Sequence, residues 1–364
     1  MPKRFLVFLG LFVELIVLSG TSAIAQEVST PRINVRVDLV QLNVAVTDSK
    51  GSYVTGLGPK DFFITEDGIS ENIALFGEGE EPVRALLKAT PSGGDPPNSP
   101  VNQQNSGASV SASELTSRLV EGADVFVLFD TSNYMYRNFA IAQDAIADFI
   151  RSLESANRVA FYSYSRDLSR VALLTSDRSQ VLSGVRTTVA GDDAALYNCL
   201  LLTIQDAAHL VGRKVIIVFS NGPDNASTVP PEEVAELAQS TGTTIYMVST
   251  QQAHLEPISN TVFQRMTAAT GGKVYFARTW REEQNAFASI RDDLAHLYSL
   301  SYYPQPNPNR GWRTIKVRLA DGQHKNYHIR TRDGYRLQHT RSLSETNPSV
   351  QPDAPMSGLG LQSK

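Results

Sequence analysis

Two uninterrupted apolar stretches, "ADVFVLFD" at 123–130 and "KVIIVFS" at 214–220, constrain the fold more than any other feature of the chain. A strand with one face in water alternates apolar and polar residues, whereas a run apolar throughout is covered on both faces. Around these two runs, strands and helices alternate from 120 to 297. "RVAFYSYS", "VALLT", "TTIYMVST" and "GKVYFART" read as further strands. Phe139, Ala142, Ile146, Phe149, Ile150 and Leu153 share one face at helical spacing. Further helices are predicted over 177–188, 194–210, 258–270 and 281–297. "PPEEVAELAQSTG" has Pro near its start, acids in its first turn and Gly at its end, the marks of one complete helix. Repeated βα units of this kind imply an α/β fold with a doubly wound, mainly parallel sheet wrapped by helices.

The chain on either side is β. In "INVRVDLVQLNVAVTD" Val35, Val37 and Leu39, then Leu42, Val44 and Val46, alternate with polar residues. "DFFITEDG" and "ENIALFGE" read as a hairpin, with turn chemistry at "DSKG" and "EDG". After 297, "YSLSYYP", "WRTIKVRLADGQ" and "NYHIRTRDGYRL" are strands again. Neither end has enough strands to bury a core alone. The two ends are therefore expected to pair into one β-sandwich, with the α/β domain inserted between them. Residues 89–114 are dominated by Pro, Gly, Ser, Asn and Gln, too little apolar surface to offset chain entropy. The resulting plan is a signal peptide over 1–25, a β segment over 26–88 and a linker over 89–118. The α/β domain over 119–297, a second β segment over 298–340 and a tail over 341–364 complete it.

The expected signal peptide has Lys3 and Arg4, an apolar run and Ala23-Ile24-Ala25, which predicts a mature chain starting at Gln26. No later segment approaches about 18 apolar residues, so no membrane span is expected after cleavage. Export to a bacterial periplasm or exterior follows. A net charge of −4 gives no basic stripe for nucleic acid. Cys199 is the single cysteine, which excludes an intrachain disulfide and a cysteine-based metal cluster.

The first apolar strand ends on Asp130, followed by Ser132 and Asn133. In doubly wound sheets ligands bind beyond the carboxyl ends of the strands, at the switch in strand order. Ser220-Asn221-Gly222 ends the second apolar strand at that edge, and "AGDDAALYN" opens the helix at 194 there. Three oxygen-bearing loops on one rim suit a hard cation. A phosphate cradle would need glycines after Asp130, and there are none for many residues. An aspartyl phosphotransferase would need a second carboxylate at position 132, which is Ser132. No G-x-S-x-G nucleophile elbow is present.

"DTSNY", "DDAALYNCL" and "SNGPDNAS", in that order, resemble the metal-ion-dependent adhesion site of the von Willebrand factor A domain family. That site combines D-x-S-x-S, a Thr in a "GGTALYDAL"-like loop and an Asp in an "SDG" loop. The flanks "VTDSKGSYVTGLGPKDFFITEDGISENIALF" and "LYSLSYYP…RTIKVRL…RTRDGYRL" resemble VWFA-related proteins of Acidobacteria. The resemblance implies a non-enzymatic, adhesion-type protein-interaction module whose cation ligands would be Asp130, Ser132 and Asn221. It also shows departures: Tyr134 stands at the second Ser position, Ala194 at the Thr and Asn221 at the Asp. The site is degenerate, so magnesium is expected to bind weakly or not at all. Asp192, Asp193 and Asp224 are the acids near enough in sequence to substitute. An enzyme using the same sheet edge and a purely structural envelope component are the alternatives, and nothing in the sequence names a protein partner. His324 and His328 lack a third ligand for zinc, His209 and His296 fall near helix C-termini, and Cys199 reads as a small buried hydrophobe.

Overall fold

The computed structural model describes residues 39–79, 81, 83–86, 122–154, 156–221, 223–249, 257–320 and 326–337. The expected signal peptide, linker and tail, and His324, lie outside the described residues.

A six-stranded sheet is built from β6 (Ala123–Asp130), β7 (Ala156–Tyr164), β8 (Leu168–Thr175), β9 (Lys214–Ser220), β10 (Thr243–Ser249) and β11 (Val274–Phe276). Its order is β11-β10-β9-β6-β7-β8, parallel throughout except for β8, which runs antiparallel to β7. Every residue of β6, β9 and β10 is buried, as their apolar runs require. Val125, Val127 and Phe129 of β6 pack to one side, against helices α1 (Phe139–Ser152), α2 (Arg178–Thr187) and α6 (Trp280–His296). Phe126 and Leu128 pack to the other, against α3 (Leu196–Ala208), α4 (Pro231–Thr241) and α5 (Pro257–Ala269). The strand order reverses between β6 and β9, and this switch point positions the rim considered below. The helix ends follow local chemistry: Asp177 caps α2 by accepting from the Ser179 N–H, and Gly242 closes α4 at φ 68°.

Two antiparallel sheets flank this domain. One has the order β14-β1-β12-β4-β5, from β1 (Val40–Thr47), β4 (Ile73–Glu78), β5 (Arg84–Ala85), β12 (Tyr298–Tyr302) and β14 (His328–Arg330). The other has the order β15-β13-β2-β3, from β2 (Phe62–Glu66), β3 (Ile69–Glu71), β13 (Trp312–Leu319) and β15 (Gly334–Arg336). Each interleaves the two ends of the chain: Leu42 lies opposite Leu300, and Ile64 opposite Val317. Val44, Phe62, Ile64, Tyr298, Leu300, Tyr302 and Ile315 share one apolar cluster.

The expected hairpin needs correcting. β2 turns at Asp67-Gly68, both at positive φ, and pairs with the short β3. After Asn72 the chain changes sheets, and β4 pairs with β12 instead. "ALF" at 74–76 needs cover on both faces: Ala74 and Leu75 pack on Leu39, Val83 and Val211, while Phe76 lies 6.0 Å from Phe62 by ring centroid. A two-stranded hairpin cannot supply that.

Helix α6 carries a titratable group with a measurable consequence. Burial pushes the Glu283 carboxyl up to about 7. An acid whose folded value is raised stabilises fully below its unfolded value of 4.5, and that contribution is lost as pH rises toward 7. Glu283→Gln should therefore leave the melting temperature unchanged near pH 4. Near pH 8 it should raise it by roughly 4–8 °C, on the order of 2 kcal/mol after allowance for partial solvent screening. Paired thermal melts at the two pH values check this.

Candidate functional site

Asp130 is the last residue of β6 and is fully buried. Its Oδ1 accepts from the Ser132 backbone N–H at 2.9 Å, and its Oδ2 accepts from Ser220 Oγ at 2.8 Å. Ser220 Oγ in turn accepts from the Tyr164 hydroxyl at 3.1 Å, across the parallel β6–β7 register that sets Asp130 opposite Tyr164. Burial pushes the Asp130 carboxyl above its ordinary value, opposed by the hydrogen bonds from Ser132 and Ser220. Ser132 precedes the 3₁₀ turn Asn133–Asn138, and its buried Oγ has no hydrogen-bond partner. Asn221 follows β9; its Nδ2 donates to the Tyr134 carbonyl, while its buried Oδ1 has no partner.

The third loop joins through its backbone. Asn133 N–H donates to the Asp192 carbonyl at 2.8 Å, and Gly191 N–H donates to the Thr131 carbonyl at 2.7 Å. A Cβ on Gly191 would run into the Ser165 side chain, so this close crossing needs glycine. The Tyr136 hydroxyl donates to the Gly191 carbonyl at 3.0 Å. Ala194 presents a buried methyl, and its N–H donates to Asn225 Oδ1 at 2.8 Å. The structure thus brings together Asp130, Ser132, Asn221 and the backbone of Asp192.

Two of the expected substitute acids are engaged elsewhere. Asp193 is ion-paired with Arg166, whose hydrogen bond holds its carboxyl below the ordinary carboxylate value, and it accepts from Asn225 Nδ2 at 3.1 Å. Asp224 Oδ2 accepts from the Tyr197 N–H of α3 at 3.0 Å and from Ser227 Oγ at 2.6 Å. Among the described residues, no three His, Cys, Asp or Glu side chains gather as a metal site. The two orphaned oxygens, Ser132 Oγ and Asn221 Oδ1, are neutral, and both oxygens of the one carboxylate already accept protein hydrogen bonds. A divalent cation gains its affinity from several oxygens, charged ones above all. This donor set does not make such a shell.

Sequence reasoning missed the Tyr164–Ser220–Asp130 chain and the two-sided clasp of Asn225. Tyr164 reads as a buried strand residue, and only the β6–β7 register shows that its hydroxyl reaches the strand-end cluster. Of the other polar candidates, His209 caps α3, and the His296 ring stacks on Tyr53 at 5.0 Å. The buried Cys199 thiol is pushed up to about 12 by burial, which leaves it unreactive at neutral pH.

Residues 124–289 match the family model described as von Willebrand factor type A domain. Among solved structures, the chain is similar to the conserved hypothetical protein BatB from Bacteroides thetaiotaomicron at 13% identity and a TM-score of 0.41, covering 48% of this chain and 97% of that one. A von Willebrand factor type A protein from Catenulispora acidiphila aligns at 12% identity and TM-score 0.42, covering 57% and 64% respectively. The vWF domain of the type V pili tip protein Mfa5 from Porphyromonas gingivalis aligns at 13% identity and TM-score 0.41, covering 47% and 94%. A search of curated proteins gives no match. With the doubly wound sheet, its switch point between β6 and β9 and the rim loops in the expected order, residues 124–289 form a von Willebrand factor type A domain.

Proposed function

We propose that the protein is a secreted or periplasmic bacterial protein-interaction module of the adhesion type, with a degenerate metal-ion-dependent adhesion site. The observation that carries this reading is the rim itself. Three loops converge at the carboxyl edge of the sheet, yet Asp130, Asp193 and Asp224 are each engaged by hydrogen bonds or an ion pair, which leaves Asp192 as a lone exposed acid. No paired acid stands free for proton transfer, so the rim suits docking better than catalysis. The flanking sheets, sharing the cluster around Tyr298 and Leu300, serve in this proposal as one β-sandwich that carries the domain. The VWFA-related flanks quoted above fit that arrangement, and no helix among the described residues is long and apolar enough to cross a membrane.

A pull-down from the exported fraction, with and without magnesium, tests the reading: one specific protein should be retained in both conditions. Retention of nothing, or turnover of a substrate that depends on Asp130, would overturn it. Calorimetric titration supplies the complementary measurement. The natural chain should bind magnesium no more tightly than about 1 mM, on the order of the weakest extracellular calcium sites. The triple variant Tyr134→Ser, Ala194→Thr, Asn221→Asp should bind more tightly and gain thermal stability in magnesium by linkage. Micromolar binding by the natural chain, lost in Asp193→Ala, would show a site rebuilt from other acids.

A further inference from the structure

We infer that Asn221 takes the place of a cation in this rim, so that the three loops are assembled by side-chain amides and hold their geometry without metal. The inference rests on the reading of the rim as a docking face and says how that face is kept in shape. The direction of one hydrogen bond carries it. Asn221 Nδ2 donates to the Tyr134 carbonyl and so ties the loop after β9 to the loop after β6. A carboxylate at 221 has no proton to give. It would set its oxygens against the Tyr134 carbonyl, one residue after the Ser220 that bonds the buried Asp130, an arrangement of acceptors that calls for a positive charge. The amide removes that need by supplying the donor itself.

Asn225 makes the second tie. Its Oδ1 accepts from the Ala194 N–H at 2.8 Å and its Nδ2 donates to Asp193 Oδ1 at 3.1 Å. Its backbone N–H and that of Ala226 both donate to the Ala194 carbonyl, at 3.0 and 3.1 Å. Asp193 passes the tie on to Arg166, beyond the end of β7. The loop after β6 closes the circle through Asn133 and Thr131, which bond to the backbone of Asp192 and Gly191. Each loop is therefore bonded to another by protein groups alone, and Asn221 adds to the Ser220–Asp130 hydrogen bond a second side-chain link between the ends of β6 and β9.

Thermal melts of the full chain decide the matter, with magnesium chloride or a chelator as the only additions. The natural protein should melt at the same temperature in both. Asn221→Asp in the chelator should lose roughly 4–10 °C, the effect of a lost donor and a buried unpaired acid, and recover a large part of it in magnesium. Asn221→Ala should lose a similar amount in the chelator with no recovery. A natural protein that melts higher in magnesium, or an Asn221→Asp protein as stable as the natural one in the chelator, would overturn the inference. The comparison on the natural chain needs no variant, so it decides even if a substitution prevents folding. Failure of the pull-down with these melting results intact would instead remove the docking reading and leave the amide tie standing.

Discussion

Replacing Arg330 with alanine should destabilise the protein by about 3–5 kcal/mol, the loss expected when one partner of a buried ion pair is removed. Asp293 of α6 is completely buried, and Arg330 of β14 donates to both its oxygens. The Tyr53 hydroxyl donates to Oδ1 at 2.6 Å, the Tyr246 hydroxyl donates to Oδ2, and Lys273 Nζ lies 3.5 Å away. Arg330 also donates to the Gly271 carbonyl, so one guanidinium joins the second antiparallel segment to α6 and to the turn after α5. Its loss leaves the buried carboxylate with two hydroxyl donors and a single ammonium at 3.5 Å to balance its charge. Arg330→Lys should fall between, because a single ammonium nitrogen cannot serve both the Asp293 carboxylate and the Gly271 carbonyl as Nη2 and Nη1 do. The midpoint of urea unfolding should move with the slope unchanged.

The pH dependence has a definite sign. Burial would raise the Asp293 carboxyl, but the charges of Arg330 and Lys273 and the hydroxyls of Tyr246 and Tyr53 hold it below its ordinary 3.8. Its contribution is present above 3.8 and is lost as pH falls through the lowered folded value. Arg330→Ala should therefore lose most at neutral pH and least in strong acid. A fragment of residues 119–297 lacks both Arg330 and Tyr53. It should be less stable than the same residues in the full chain.

The parts of this fold that were legible in the sequence are those governed by periodicity. "ADVFVLFD" and "KVIIVFS" are apolar at nearly every position because β6 and β9 are central strands, and their neighbours in the chain had to be covering helices. The pairing of the two β ends followed from their strand counts, and β1 does lie against β12 and β14. Register and partner choice were less accessible. Nothing local in "ENIALFGE" tells that β4 leaves the β2–β3 hairpin for the other sheet. At the rim, the motif placed Asp130, Ser132 and Asn221 together, because strand ends fix positions along an edge. What the acids would do there was not legible. Asp193 and Asp224 turn to Arg166 and to the α3 N-terminus, choices made by contacts between residues distant in sequence. Arg313 and Glu66 show the same limit: 247 residues apart, each reads as a surface charge on a half-buried strand.

That pair sets the second large effect, within the antiparallel sheets. Glu66, the last residue of β2, is fully buried, and Arg313 of β13 donates to its Oε1 at 2.7 Å. The hydroxyls of Tyr302 and Tyr335 donate to Oε2 at 2.8 and 3.0 Å, from β12 of one sheet and β15 of the other. One carboxylate thus gathers donors from both sheets, and its charge is balanced by a guanidinium that also donates to the Asn307 and Asn309 carbonyls. Arg313→Met keeps side-chain volume but strands the charge, and should cost about 3–5 kcal/mol. Glu66→Gln keeps an acceptor for the hydroxyls and removes the charge that needs balancing. The double variant should therefore be more stable than Arg313→Met alone, and its loss should fall short of the sum of the two single losses by about 1–3 kcal/mol. Urea unfolding of the four proteins in a double-mutant cycle measures this. A double variant whose loss is the plain sum of the two single losses would mean that the Glu66 charge is solvated in the folded protein and that the buried pair does not hold the sheets together.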